Sequence, residues 1–372
     1  MSSVGSDVGI VSTQYFRSTR PLVLQSGSVL EDLVLAYETY GALNPKQDNA
    51  VLLLHALSGD AHAAGRHSAN EKHPGWWDAM VGPGKAFDTS KYFVICSNVI
   101  GGCKGSSGPL STNPNTGAAW QADFPVVTIQ DMVAAQTHLL DFLGIEQLFA
   151  VAGGSMGGFQ ALEWMAHHPN RVKKSILLAT SASHSAQAIA WNAIGRQAIT
   201  RDPLWCDGFY HSDAPPQYGL AIARMIGHLT YVSEASLAQR FPLRYQTATG
   251  PGYSLADEFG IESYLNHQAE KFNQRFDANS YLYITKAMDY WNIAQPGQSL
   301  SEALADWTGS TLVISFDSDT LYPTSESALI AEHLREKNVP VEFHELHSIA
   351  GHDAFLLESS LQTPLIQKFL QA

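Results

Sequence analysis

The chain has 372 residues, 45% of them hydrophobic and 15% charged, which is enough apolar content for a large core and too much for a mainly disordered polypeptide. A formal net charge of −13 argues against nucleic acid as a partner, because that binding relies on Lys and Arg neutralising phosphates. Three cysteines, Cys96, Cys103 and Cys206, are too sparse for a disulfide framework and point to a reducing, cytoplasmic setting.

From the N-terminus, Met1 to Asp7 has neither the basic start nor the apolar core of a secretory signal, and no apolar run reaches membrane-spanning length. Val51 to Leu54 is the first continuous apolar run, ending in the loop His55-Ala56-Leu57-Ser58-Gly59-Asp60. Tyr92 to Cys96 is the second and leads into a Gly-rich loop. Runs of this kind read as parallel strands buried on both faces. Thr128 then opens a helical pattern, with Asp131 three residues on as a weak capping-box analogue and Gly144 as its stop. Leu148 to Ala152 and Ser175 to Ala179 are further strands.

Between Ala179 and Thr311 the pattern turns helical: Ser185 to Thr200, Gly219 to His228, Ile261 to Phe272 and Ala278 to Tyr290, with Thr249-Gly250-Pro251-Gly252 as a turn-forming stretch. Thr311 to Phe316 and Val341 to Leu346 complete the strands. The expected division is a first core segment over 1–180, a helical insertion or lid over 181–305, and a second core segment over 306–372.

The chemistry concentrates at Gly153-Gly154-Ser155-Met156-Gly157. A strand precedes it and a helix, beginning near Gly158, follows, which is the strand-turn-helix setting of a nucleophile elbow. A bare Gly-x-Ser-x-Gly is also an ordinary glycine-rich turn, so the downstream partners decide. An α/β-hydrolase fold, with its mostly parallel central sheet, orders them Ser, Asp, His. Asp317 and Asp319 both follow the strand ending at Phe316, and both also suit turn capping. His352, in Ala350-Gly351-His352-Asp353, follows the last strand as the candidate base, the single one of 15 histidines in that position. The backbone N–H groups of Met156 and Leu57 are the candidate oxyanion donors.

His55-Ala56-Leu57-Ser58-Gly59-Asp60, Gly101 to Pro109, Gly154 to Gly158, Ala223-Arg224-Met225 and Gly351 to Phe355 together resemble the homoserine O-acetyltransferases of methionine biosynthesis. That resemblance spans nearly the whole chain. It implies Asp319 rather than Asp317 as the catalytic acid, and acetyl transfer from acetyl-CoA to L-homoserine through an acyl-Ser155 intermediate, without a bound cofactor. It further implies that Arg224 holds the substrate carboxylate and Asp353 its amino group, with Tyr231 assisting, and that two chains pair into a homodimer through lid helices. A zwitterionic amino acid needs one cationic and one anionic anchor, and Arg supplies a bidentate fork. Lys104 and the backbone groups of nearby Ser and Gly residues are candidates for cradling CoA.

The chain departs from many relatives at Gly108-Pro109-Leu110-Ser111-Thr112-Asn113-Pro114, at Ser58 and at Phe159. Succinyl-CoA as donor and serine as acceptor are the alternatives within the same scaffold. Hydrolysis by the same triad and a non-catalytic binding role are rivals outside it. His55, Asp60, His62 and His67 match no familiar zinc spacing, so no metal is expected. Trp76-Trp77 reads as packing beneath the site entrance rather than as a stacking platform.

Overall fold

The computed structural model describes residues 8–242, 245, 250, 252–253, 255–256 and 259–372. The N-terminal stretch Met1 to Asp7 and parts of the expected turn, Thr249 and Pro251, lie outside the described residues. The strands are β1 (Gln14–Arg17), β2 (Leu22–Val23), β3 (Val29–Leu30), β4 (Val34–Tyr40), β5 (Ala50–Leu54), β6 (Phe93–Ser97), β7 (Leu148–Gly154), β8 (Val172–Leu178), β9 (Ser310–Phe316) and β10 (Val341–Leu346). All but β2 and β3 form one eight-stranded sheet in the order β1-β4-β6-β5-β7-β8-β9-β10. From β6 to β10 every pairing is parallel, whereas β4 runs antiparallel to both β1 and β6.

Continuous apolar runs make the parallel strands because both faces are covered. In β5, Leu52 and Leu54 face one core and Val51 and Leu53 face the other. On the first side lie α1 (Ile129–Phe142) and α2 (Met156–His167). On the second lie Trp77, Met80, Phe87 and the end of α11 (Ser359–Gln371). Helix α1 begins where the sequence places it, with a full capping box between Thr128 and Asp131. Helix α2 starts at Met156, two residues earlier than expected, so Ser155 stands directly at its N-cap.

Between β8 and β9 the chain forms α3 (Ala186–Thr200), α4 (Gln217–Tyr231), α5 (Glu234–Arg240), α6 (Gly260–Asn273), α7 (Ala278–Asp289) and α8 (Leu300–Ala303). Helix α9 (Thr324–Glu336) follows β9, and α10 (Ala354–Leu357) precedes α11. A partly buried ion pair ties α3 to α7: Arg196 Nη2 lies 2.5 Å from Asp289 Oδ2, while Asn192 donates to Asp289 Oδ1 at 2.9 Å. Burial pushes the Asp289 carboxyl up, but the hydrogen bonds of His184 and Asn192 and the Arg196 charge hold it below the usual carboxylate value. Removing one member strands the other charge in a poorly solvated place. Asp289→Ala is therefore expected to lower the unfolding free energy by about 3 kcal/mol in urea titrations, and an unchanged midpoint would contradict this reading of the pair.

Candidate active site

Ser155 sits at the tip of β7 with φ 57° and ψ −125°. That left-handed backbone is strained for a residue with a Cβ and persists because the surroundings fix it. The Ser155 N–H donates to the carbonyls of Leu178 and Ala179 at 3.0 and 3.2 Å, and Gly158 and Phe159 donate back to the Ser155 carbonyl. The flanking glycines are required by close approach. A Cβ on Gly157 would run into the Leu54 carbonyl, and one on Gly154 into the Phe355 ring.

His352 Nδ1 lies 2.7 Å from Asp319 Oδ2, with both side chains almost fully buried. The other oxygen of Asp319 accepts the N–H groups of Leu321 and Tyr322, each at 2.9 Å. The carboxylate is thus oriented from both ends. With its Nδ1–H directed at Asp319, His352 carries its lone pair on Nε2, the tautomer a general base needs. Burial lowers the His352 pKa, but the charge and hydrogen bond of Asp319, joined by the charge of Asp353, outweigh it and raise the value above that of an ordinary histidine. Asp317 is engaged elsewhere, with the exposed His347 at 2.6 Å and the Ser348 N–H at 3.1 Å.

Ser155, His352 and Asp353 line a single cavity of about 520 Å³, together with Leu57, Arg224 and Tyr231. Leu57 belongs to a loop pinned from two sides. Gln160 of α2 donates to the His55 carbonyl at 3.1 Å, and His55 Nε2 accepts the Val99 N–H at 3.0 Å. The N–H of Met156 is one of the unpaired donors that a helix's first turn leaves. A helix N-terminus also favours the negative charge that develops beside it.

Arg224, on α4, stacks over the Phe272 ring at 4.8 Å and the Tyr231 ring at 5.6 Å. Among the described residues no carboxylate lies in salt-bridge distance of it, and its Nε is buried without a partner. Asp353 stands half-buried in the same cavity. Burial raises its pKa, and the charges of His352 and Arg224 only partly offset that. One wall therefore presents an unpaired cation and a carboxyl deprived of solvent.

Four features were not apparent in the sequence. Tyr322, fully buried, meets the His352 ring edge-on at 5.2 Å, and burial pushes its phenol well above the usual value. Its place three residues after Asp319 was the available signal. Arg275 lines the cavity from the end of α6 and donates to the Ser58 carbonyl at 2.8 Å, with no local motif to announce it. Phe159 stacks on Trp291 at 5.3 Å and forms part of the wall behind Tyr322. Trp77 is buried as packing, whereas Trp76 lines the cavity and donates to the Asp60 carbonyl at 2.9 Å.

Lys104 is not among the residues lining the cavity. Its neighbours Ser106 and Ser107 spend their hydroxyls on the sheet, accepting the N–H groups of Ala36 at 3.0 Å and Val34 at 2.9 Å. Of the four residues His55, Asp60, His62 and His67, the structure brings His62 and His67 together, around Glu38 of β4. All three cysteines are free thiols.

A serine on a strand-helix elbow, a buried Asp-His pair behind it and a mostly parallel sheet define the architecture of an α/β hydrolase, and residues 49–359 match the family model described as alpha/beta hydrolase fold. A homoserine O-acetyltransferase of Leptospira biflexa is 52% identical over 365 residues, covering 98% of this chain and 95% of that protein. The crystal structure of homoserine O-acetyltransferase from Bacillus anthracis superposes with a TM-score of 0.92 at 30% identity, covering 98% of each chain. Esterase E22 superposes with a TM-score of 0.89 at 29% identity, covering 97% of this chain and all of the other. The chain belongs to the homoserine O-acetyltransferase family.

Proposed function

We propose that the chain transfers the acetyl group of acetyl-CoA to the side-chain hydroxyl of L-homoserine, a step of methionine biosynthesis, by way of an acetyl-Ser155 intermediate. The observation that carries this reading is the pairing of an uncompensated Arg224 with a half-buried Asp353 in the cavity that holds Ser155 and His352. An ester hydrolase has no need of that pair. An α-amino acid does, since its carboxylate fits the guanidinium fork and its ammonium would restore the charge that burial suppresses on Asp353.

In the first step Ser155 Oγ attacks the thioester carbonyl while His352 Nε2 takes its proton and passes it to the departing CoA sulfur. In the second, the homoserine hydroxyl attacks the acetyl-serine, its proton goes to His352, and Ser155 is regenerated with that proton. Asp319 holds the tautomer and stabilises the imidazolium. The N–H groups of Leu57 and Met156 receive the negative charge of each tetrahedral intermediate.

Residues 181–305 act as a lid between core segments 1–180 and 306–372, and this division is supported by a cavity lined from both sides, with Arg224, Tyr231 and Arg275 contributed by the inserted segment. The lid favours transfer over hydrolysis by holding the acceptor hydroxyl in place and limiting water. Exposed Ile194, Tyr218, Ile222 and Leu229 on α3 and α4 support a homodimer formed through these helices. Among the described residues no helix is long and apolar enough to cross a membrane.

Hydrolysis is the second reading, favoured by the likeness to esterase E22. Incubating the enzyme with acetyl-CoA or succinyl-CoA, and with homoserine, serine or water alone as acceptor, separates the alternatives. O-acetylhomoserine as the dominant product supports the proposal. CoA release at an equal rate without homoserine would sink it.

Arg224→Lys keeps the charge but loses the planar fork. The KM for homoserine is expected to rise about 10- to 100-fold, equivalent to roughly 1.4–2.8 kcal/mol, with a smaller change in kcat. Steady-state kinetics at saturating acetyl-CoA would show this, and an unchanged KM would remove Arg224 from the acceptor site.

A further inference from the structure

Glu38 lies in the middle of β4 with its side chain in the interior, and two imidazoles converge on it from the 60–67 loop. His62 Nδ1 stands 2.9 Å from one carboxylate oxygen and His67 Nε2 stands 2.7 Å from the other. The two rings stack with centroids 3.9 Å apart. Tyr40 and Thr13 each donate a hydroxyl to the carboxylate at 2.9 Å, fixing its orientation from behind. Thr13 Oγ1 is also 3.5 Å from His67 Nε2 and so borders the same point.

From these residues we infer a binding site for one divalent transition-metal ion of the zinc type, with Glu38, His62 and His67 as its protein ligands. The donor set is two imidazole nitrogens and one carboxylate, which suits zinc. One ligand atom from each residue falls within a common span of 4.8 Å. A tetrahedral ion with bonds of about 2.0–2.1 Å places its ligands about 3.3 Å apart. Closing on a metal lengthens the two imidazole–carboxylate distances of 2.9 and 2.7 Å by a few tenths of an ångström and draws together any pair standing 4.8 Å apart by about 1.5 Å.

Neutral imidazoles donating one N–H each to Glu38 satisfy the same contacts without a metal, so the case for an ion rests on the convergence of the three donor atoms. One divalent ion replaces both protons and leaves the rings neutral. Tyr40 and Thr13 supply the outer hydrogen bonds that ligating carboxylates require.

The ion would brace the loop that forms the cavity's edge. His62 lines the cavity, and its N–H donates to Asp60 Oδ1 at 2.9 Å. Leu57 lies five residues upstream of His62 on the same loop. No ligand atom belongs to the Ser155 machinery, so the site stands or falls independently of the acyl-transfer reading.

The test uses the full chain, stripped with a chelator and titrated with Zn²⁺ by calorimetry, with Co²⁺ as a visible-absorption probe. Wild type is expected to bind one equivalent, gain thermal stability with added Zn²⁺ and give the intense d–d bands of a four-coordinate Co²⁺ site. His67→Ala and His62→Ala should each weaken binding at least tenfold and abolish those bands, while His211→Ala, at an exposed distant histidine, should bind as wild type does. Should His62→Ala fail to fold, the half-exposed His67 still allows the decision. Absence of stoichiometric binding, or binding that His67→Ala leaves intact, overturns the inference.

Discussion

Ser155→Ala is expected to lower kcat for acetyl transfer by about 10⁵-fold, within the range seen when the nucleophile of a triad is removed. The fold should survive. The Ser155 backbone is held by its N–H bonds to Leu178 and Ala179 and by the helix-cap bonds it accepts, none of which involves the hydroxyl. Alanine also meets the same left-handed backbone that serine already tolerates at φ 57°. Binding is expected to persist, because Arg224 and Asp353 are untouched, so homoserine should still protect the variant against thermal unfolding. Retention of wild-type turnover would mean that acyl transfer proceeds directly between the two substrates.

Asp319→Asn should reduce kcat by about 10⁴-fold, and the hydrogen-bond geometry explains why. Asp319 Oδ1 accepts the Leu321 and Tyr322 N–H groups, while Oδ2 faces His352 Nδ1. Asparagine must leave its carbonyl oxygen with the two N–H donors, which turns its NH₂ toward His352. The imidazole then presents a lone pair at Nδ1 and carries its proton on Nε2, where it can no longer take one from Ser155.

The same substitution has a pH signature. Asp319 raises the His352 pKa, and the base works only when neutral, so wild-type kcat/KM should fall as pH drops through a value above that of a free histidine. Asp319→Asn removes the charge that causes this, and the acidic limb of its residual activity should move to lower pH. Asp317→Asn serves as the contrast, since its partners are His347 and Ser348. It should change kcat less than twofold, in the range of ordinary surface substitutions. A larger loss from Asp317→Asn than from Asp319→Asn would reverse the assignment.

Much of the core was legible because its strands are buried on both faces. Val51 to Leu54, Leu148 to Ala152 and Thr311 to Phe316 had to be continuous apolar runs, and each lies within a parallel strand. The antiparallel strands β1 and β4 were not anticipated. β1 is mostly exposed at the sheet edge, and β4 carries Glu38 in its interior-facing pattern, which breaks the apolar run. The histidine cluster was missed for a related reason. His62 and His67 are neighbours in sequence, but the carboxylate they share is 24 and 29 residues away.

The two aspartates after β9 could not be separated by strand alternation alone. What distinguishes them physically is the turn after Phe316, in which the backbone at Leu321 and Tyr322 draws one Asp319 oxygen inward and leaves the other for His352. Ser106 and Ser107 carry a structural duty that the Gly-rich loop does not announce, since the antiparallel β4 uses both hydroxyls as hydrogen-bond acceptors. Arg275 reaches the cavity from the turn after α6, more than a hundred residues beyond Ser155 in the chain, a proximity that only the tertiary fold creates.

The central claim is that Ser155 relays the acetyl group, and the most direct measurement is intact-protein mass spectrometry after rapid mixing with acetyl-CoA in the absence of homoserine. One acetyl group should appear on the protein, map to Ser155 after proteolysis, and disappear on addition of homoserine as O-acetylhomoserine forms. Turnover to O-acetylhomoserine with no acetyl group ever detected on Ser155, or an adduct that homoserine does not discharge, would contradict the account.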